Sequence, residues 1–148
     1  MGEAREVMDR QTDASWSGDR AGVAACYADD AVLTAPDAGE LTGKDAIVEW
    51  VFSLDEAFPD GGYESLAKYE DGDTAIDEGF LTGTNTGPLR LPTGQEIPPT
   101  GRSIRVRVCD VARVRGGLIR THRFYFDNEE FARQLGLSED QTGVGAPD

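Results

Sequence analysis

The run Ser103-Ile-Arg-Val-Arg-Val-Cys-Asp-Val-Ala-Arg-Val-Arg-Gly-Gly-Leu-Ile-Arg-Thr-His-Arg-Phe-Tyr-Phe126 decides the fold. In its first half Ile104, Val106 and Val108 take one face and Arg105, Arg107 and Cys109 the other, the period-two pattern of a strand with one apolar side. Gly116 and Gly117 supply a tight turn, and Leu118 to Phe126 returns as a second strand. Working backwards, Tyr63 to Tyr69 and Thr74 to Thr84 also alternate, separated by Asp71-Gly-Asp73, and Gly87 to Gly101 forms the loop before Ser103. Four consecutive strands make a meander. In a curved sheet, the mixed face that carries Arg107 lines a cavity or meets solvent or a partner.

Upstream, the period changes to that of helices. Ala4, Val7, Met8 and Ala14 define an amphipathic helix from Glu3 to Trp16, which Gly18 stops. Asp19 caps a second, short helix from Arg20 to about Tyr27. Ala31 to Ala35 reads as a short strand ended by Pro36, and Gly39 to Gly43 as a loop into a third helix near Lys44. That helix carries Ile47, Trp50, Val51 and Leu54 on one stripe and ends near Phe58, before Pro59-Asp-Gly-Gly62. Asp127 or Asn128 caps a last helix through Leu135, with Gly136 as its left-handed end. Helices followed by an antiparallel meander define an α+β domain spanning 1–137, with 138–148 as a flexible tail.

Composition excludes several classes of function. The net charge is −14, from 28 acidic and 14 basic residues, which disfavours nucleic acid because phosphate binding needs Lys and Arg to displace counterions. Cys26 and Cys109 have no zinc-ligand spacing and read as buried apolar groups. No metal site is expected, since the only histidine is His122. The first residues lack the pattern of a signal peptide, and no apolar run reaches the ~18 residues of a membrane span. A cytoplasmic address without a membrane partner is the expectation.

Several stretches resemble SnoaL-like polyketide cyclases and their ester-cyclase relatives, within the nuclear transport factor 2-like superfamily. They are Trp16-Ser-Gly-Asp19, Tyr27-Ala-Asp-Asp-Ala31, Gly79 to Gly87, Pro99-Thr-Gly-Arg102, Gly117 to Asp127 and Arg133 to Leu137. The resemblance implies a cone-shaped, strongly curved antiparallel sheet, a cystatin-like roll, with N-terminal helices closing its concave face. It implies a homodimer packed through the sheets. It also implies a carboxylate inside the cone that serves an intramolecular aldol condensation without metal or organic cofactor, and Asp127 stands at the matching position. Two positions depart from the family pattern: Asn85 where His is frequent, and Thr121 where Glu is frequent.

Asp127 reads in two ways, as a general base lifted in pKa by the aromatic run Phe124-Tyr125-Phe126, or as a plain helix cap with a lowered pKa. His122 is a natural proton shuttle, although alternation puts it on the face opposite Asp127. Asn85 is a donor for a substrate carbonyl or a strand-end residue. Arg107 pairs with an internal acid or an anionic ligand group, or lies on the surface. Trp16, Tyr27, Trp50, Phe52, Phe80 and Tyr125 are the aromatics available to wall a pocket. The catalytic expectation is Asp127 with His122, and the substrate-binding one is Asn85, Tyr27, Trp50, Arg107 and Tyr125.

Two functions follow. One is a cofactor-independent acid/base enzyme, of cyclase or isomerase type, acting on a small hydrophobic, carbonyl-bearing molecule. The other is a non-catalytic ligand-binding or dimeric accessory module. The environment of Asp127 separates them at that site: open to an apolar cavity for the enzyme, spent on helix capping for the module. Epoxide-hydrolase-like activation of water is a third reading, for which Arg107 and Asp127 supply only part of the required Asp-Arg-Asp set.

Overall fold

The computed structural model describes residues 2–91 and 94–137. The expected tail at 138–148 lies outside the described residues. Helix α1 covers Glu3–Trp16 and α2 Arg20–Ala24; strand β1 covers Tyr27–Ala35 and β2 Gly39–Thr42; α3 covers Lys44–Ala57. Strands β3 (Gly62–Asp71) and β4 (Thr74–Thr84), the short pair β5 (Leu89–Arg90) and β6 (Glu96–Ile97), the long β7 (Ser103–Arg115) and β8 (Leu118–Tyr125) follow, and α4 covers Asn128–Gln134.

Six strands form one sheet in the order β2-β1-β8-β7-β4-β3. The meander expected from the sequence is its centre and one edge. Three readings change. Tyr27 begins β1 instead of ending α2, Gly39–Thr42 pairs with β1 as β2, and the Gly87 to Gly101 loop holds the β5–β6 pair. The sheet is also not wholly antiparallel, because β1 runs parallel to β8, with Leu33 opposite His122. Register shifts interrupt the β3–β4, β7–β8 and β1–β8 ladders, and such bulges bend strands and increase twist. At the β7–β8 turn Gly116 and Gly117 have φ of 63° and 77°, a left-handed pair that side chains with Cβ adopt at a cost.

Helices α1 and α3 lie across one face of this sheet. α1 buries Ala4, Val7, Met8 and Ala14, the stripe expected. No side chain of its own caps its start. Instead Glu70 on β3 accepts hydrogen bonds from the N–H of Gly2 and Arg5 at 2.8 and 2.9 Å, satisfying two orphan donors and placing a negative charge at the positive end of the helix. Met8, Leu33 and Ile47 are wholly buried, each contributing on the order of 1.5–3 kcal/mol of apolar transfer energy.

One apolar cluster joins α1, α3, β1 and the far ends of β7 and β8, and a second gathers Phe58, Ile104, Val106, Phe131 and Leu135 beneath α4. The apolar side of β7 faces the helices, whereas its mixed side, with Arg105 and Arg107, is exposed. Cys26 is buried as expected, but Cys109 is only half-buried because it sits on that mixed side.

Candidate active site

A cavity of about 90 Å³ opens between the helices and the apolar face of the sheet. That is several times the roughly 10–15 Å³ one water needs, so the space suits a small organic molecule. Gln11, Thr12, Ser15 and Trp16 from α1, Asp37 from the β1–β2 turn, and Trp50, Val51, Leu54 and Asp55 from α3 form one wall. Tyr63, Asp77, Leu81, Val106, Val108, Asp110, Phe124 and Phe126 from the sheet, with Phe131, form the other.

Alternation puts two carboxylates on the inner face. On β7 the apolar series Ile104, Val106, Val108 continues to Asp110, and Asp77 lies directly opposite it on β4. Residues so paired hold their Cβ atoms about 4.5–5.5 Å apart. Asp77 is 2% exposed and Asp110 7%. Their outer partners differ. Arg5, itself buried, reaches Asp77 Oδ1 at 2.7 Å and also pairs with Asp9 at 2.9 Å, while Lys68 holds Asp9 from solvent. His122 Nε2 lies 2.9 Å from Asp110 Oδ2. Among the described residues no hydrogen bond reaches Asp77 Oδ2 or Asp110 Oδ1, so each acid keeps one oxygen uncommitted.

Behind Asp110 the polar groups form a chain. Tyr27 Oη lies 2.7 Å from His122 Nδ1. Burial pushes the Tyr27 hydroxyl well above its ordinary ionisation range, and the Asp110 charge adds to this. A carboxylate at Asp110 only accepts, so Nε2 of a neutral imidazole carries the proton that it donates to Asp110, and Nδ1 accepts from the Tyr27 hydroxyl. Gln11 contacts the Tyr27 oxygen from the cavity side.

The same burial raises the Asp77 pKa, and the facing Asp110 raises it further, against the pull of Arg5. The two carboxylates thus differ: one is pushed towards its acid form, the other accepts a hydrogen bond from a histidine. Tyr63 adds a third group. Its hydroxyl is sealed from solvent and has no hydrogen-bond partner, and burial together with Asp110 and Asp77 raises its pKa. It reaches this place because residue 79 is glycine: a Cβ there would stand 2.8 Å from the Tyr63 hydroxyl.

The expected site residues separate into those near the cavity and those away from it. Trp50 lines it, as does Trp16. Tyr27 and His122 lie just behind its wall, 1% and 0% exposed. Asp127 does not face it. The Asp127 carboxylate is exposed and accepts from Glu130 N–H at 3.0 Å, so it caps α4. The aromatic run beside it turns Phe124 and Phe126 inward and leaves Tyr125 53% exposed on the outer face. Asn85 is fully buried, but its amide donates to the carbonyls of Ala57 and Gly87 and accepts from Thr100 N–H and Oγ1, leaving it no capacity for a ligand. Arg107 is exposed, beside Glu78 and over the Phe80 ring on the outer face. Phe52 packs under Arg20. Asp77, Asp110, Tyr63 and Gln11 were missed. For Asp110 the signal was present, since extending the apolar alternation of β7 by one step puts an acid on the inner face.

A fold of this shape, with a cavity between helices and a bent sheet, matches solved structures. One is a candidate SnoaL-like polyketide cyclase from Jannaschia sp. CCS1, at TM-score 0.80 and 19% identity over 92% of this chain and 93% of that one. IdmH, a candidate polyketide cyclase from Streptomyces antibioticus, matches at TM-score 0.73 and 24% identity over 92% and 100%. A nuclear transport factor 2-like protein from Burkholderia thailandensis E264 matches at 0.72 and 27% over 91% and 98%. No curated protein matches the chain. The family model described as the SnoaL-like domain matches residues 8–122. The chain belongs to the SnoaL-like family, on the nuclear transport factor 2-like fold. No helix among the described residues is long and apolar enough to cross a membrane.

Proposed function

We propose that this protein is a cofactor-independent acid/base enzyme, of cyclase or isomerase type, acting on a small hydrophobic molecule that carries a carbonyl group. The observation that carries the reading is the opposed pair Asp77 and Asp110 on the wall of a largely apolar cavity, each with an oxygen uncommitted. Two facing acids in different surroundings, one of them raised in pKa by burial and by its neighbour, can divide the roles of acid and base.

Asp110, as carboxylate, removes a proton from the carbon next to the carbonyl, and the C–H electron pair becomes the enolate. The unpartnered Tyr63 hydroxyl donates a hydrogen bond to the developing oxyanion, and Asp77, raised in pKa by burial and by Asp110, stands beside it as the second acid of the pair. Return of the proton from Asp110 to another carbon completes an isomerisation. In a cyclisation, the enolate carbon attacks a second carbonyl of the same molecule, and the proton goes to the new alkoxide. His122 and Tyr27 orient Asp110 without touching substrate.

The reading moves the base from Asp127 to Asp110. The capping of α4 by Asp127 removes the support for an enzyme at that residue, and the accessory-module alternative gains nothing from a cavity that presents paired acids. Assembly as a homodimer is part of the proposal. The outer sheet face offers exposed Tyr69 and Tyr125 to a second copy, and light scattering at the mass of two chains is the expected result.

The test is exchange of the α-protons of 2-tetralone for deuterium, followed by NMR in D2O. The wild type accelerates exchange, and Asp110→Asn loses about 100-fold or more of the acceleration, the scale of a general base. Binding of 2-tetralone without exchange, or unchanged exchange in Asp110→Asn, would overturn it.

A further inference from the structure

The cavity carries a charge pattern that general acid/base chemistry does not require. Besides Asp77 and Asp110 on the sheet side, it is lined by Asp37 and Asp55 on the helix side. Among the described residues no Lys, Arg or His lines it. Arg5, the nearest buried cation, is spent on Asp77 and Asp9 behind the wall. Among the described residues, neither Asp37 nor Asp55 has a salt-bridge partner. Burial raises the pKa of both.

Asp37 presents a more specific anomaly. Its Oδ1 is sealed from solvent and has no hydrogen-bond partner, while the Trp50 side chain and the backbone of Asp37 and Ala38 hold the rest of the carboxyl. Such a group is rare in folded proteins, because leaving a buried acceptor unmade costs about 1–3 kcal/mol. The sheet side repeats the pattern in side chains that are more than nine-tenths buried, Asp77 and Asp110, each with one oxygen free of hydrogen bonds. Four acids, each with acceptor capacity left over, thus line a space with no cationic side chain among its described lining residues.

Aromatic rings stand among these acids. Trp16 and Trp50 lie on the helix side with Asp37 and Asp55, and Phe124, tilted against Trp50 with ring centroids 5.2 Å apart, faces them from the sheet. The faces of such rings attract a positive charge, most strongly for Trp. A neutral ketone would use the apolar walls and the Asp77–Asp110 pair but would leave Asp37 and Asp55 without a charged partner. An anionic ligand would meet four acidic side chains and no cationic one among the described lining residues.

We infer that the natural ligand bears a positive charge, as an ammonium or other organic cation on an otherwise apolar frame. Its cationic group sits on the helix-side wall among Asp37, Asp55, Trp16 and Trp50. Within the proposed function this names the substrate as an amine-bearing carbonyl compound, with its carbonyl towards Asp77 and Asp110. The inference rests on that reading for the carbonyl end only. The cation's N–H or N–CH groups would give Asp37 Oδ1 the donor it lacks, and the net charge of −14 favours its approach.

The experiment compares two molecules of one shape, 4-trimethylammoniophenol and its carbon isostere 4-tert-butylphenol, by calorimetric titration of the intact protein. The cation is expected to bind about tenfold or more tightly, a ratio that a desolvated cation–ring contact with a carboxylate beside it reaches. Asp37→Asn with Asp55→Asn should reduce that ratio to about unity. These positions are half-buried, and a thermal melt checks that the double variant folds. Equal or tighter binding of the neutral isostere by the wild type would overturn the inference, as would a cation preference that survives the double substitution. Deuterium exchange into neutral 2-tetralone reads the acid/base proposal separately, so exchange without cation preference refutes this inference alone.

Discussion

Replacing Tyr27 by Phe tests the chain of polar groups behind Asp110. Tyr27 is 1% exposed and its ring stacks on His122 with centroids 6.0 Å apart. Phe keeps the ring, so the substitution removes little but the hydroxyl. The hydrogen bond to His122 Nδ1 at 2.7 Å disappears, and Nδ1 is left without a donor in a side chain that is 0% exposed. A lost hydrogen bond costs roughly 1 kcal/mol and the stranded acceptor about 1–2 more, which gives about 2–3 kcal/mol of destabilisation. For a domain of this size that lowers Tm by about 6–10 °C. Urea unfolding measures the cost.

NMR measures the cause of that loss. The chain has a single histidine, so nitrogen-15 correlations of one imidazole report which ring nitrogen carries the proton. The wild type is expected to show the proton on Nε2. Tyr27→Phe should weaken that preference and slow 2-tetralone exchange, because Asp110 loses a fixed donor. Stability within about 0.5 kcal/mol of wild type with an unchanged nitrogen pattern would refute the reasoning, since a buried bond of this length cannot be lost without cost.

Asn85→Ala should destabilise by about 3–4 kcal/mol in urea, because the carbonyls of Ala57 and Gly87 and the N–H and hydroxyl of Thr100 lose their partner. A loss below about 1 kcal/mol would return Asn85 to the list of ligand-facing residues. Asp127→Ala should cost only about 1 kcal/mol, the value of a helix cap, and leave 2-tetralone exchange at the wild-type rate. Loss of exchange with stability intact would put the base back at Asp127.

The helices and the meander were legible because each is written in a local period. Ala4, Val7 and Met8 repeat at helical spacing, and Ile104, Val106 and Val108 at strand spacing, so their bounds in the structure fall within a few residues of the expectation. The pieces that escaped have no period to read. β2, β5 and β6 are two to four residues long and exist because a neighbouring strand supplies their hydrogen bonds. The parallel pairing of β1 with β8 likewise joins segments at opposite ends of the chain.

The site divides in the same way. Alternation alone put His122, Phe124 and Phe126 on one face and Tyr125 and Asp127 on the other, and the structure keeps that division. It also separated Arg107 from the apolar side of β7. What the sequence by itself determined, therefore, was the sidedness of each strand and helix, because that follows from backbone geometry within a single element. Which acids would be buried, and against what, required the third dimension. Asp77 meets Asp110 through the register of two strands, Arg5 reaches Asp77 from another element, and Tyr63 enters the cavity over a glycine on the adjoining strand. Burial and the nearness of other charges set the protonation of a carboxylate, and both are properties of the packed molecule.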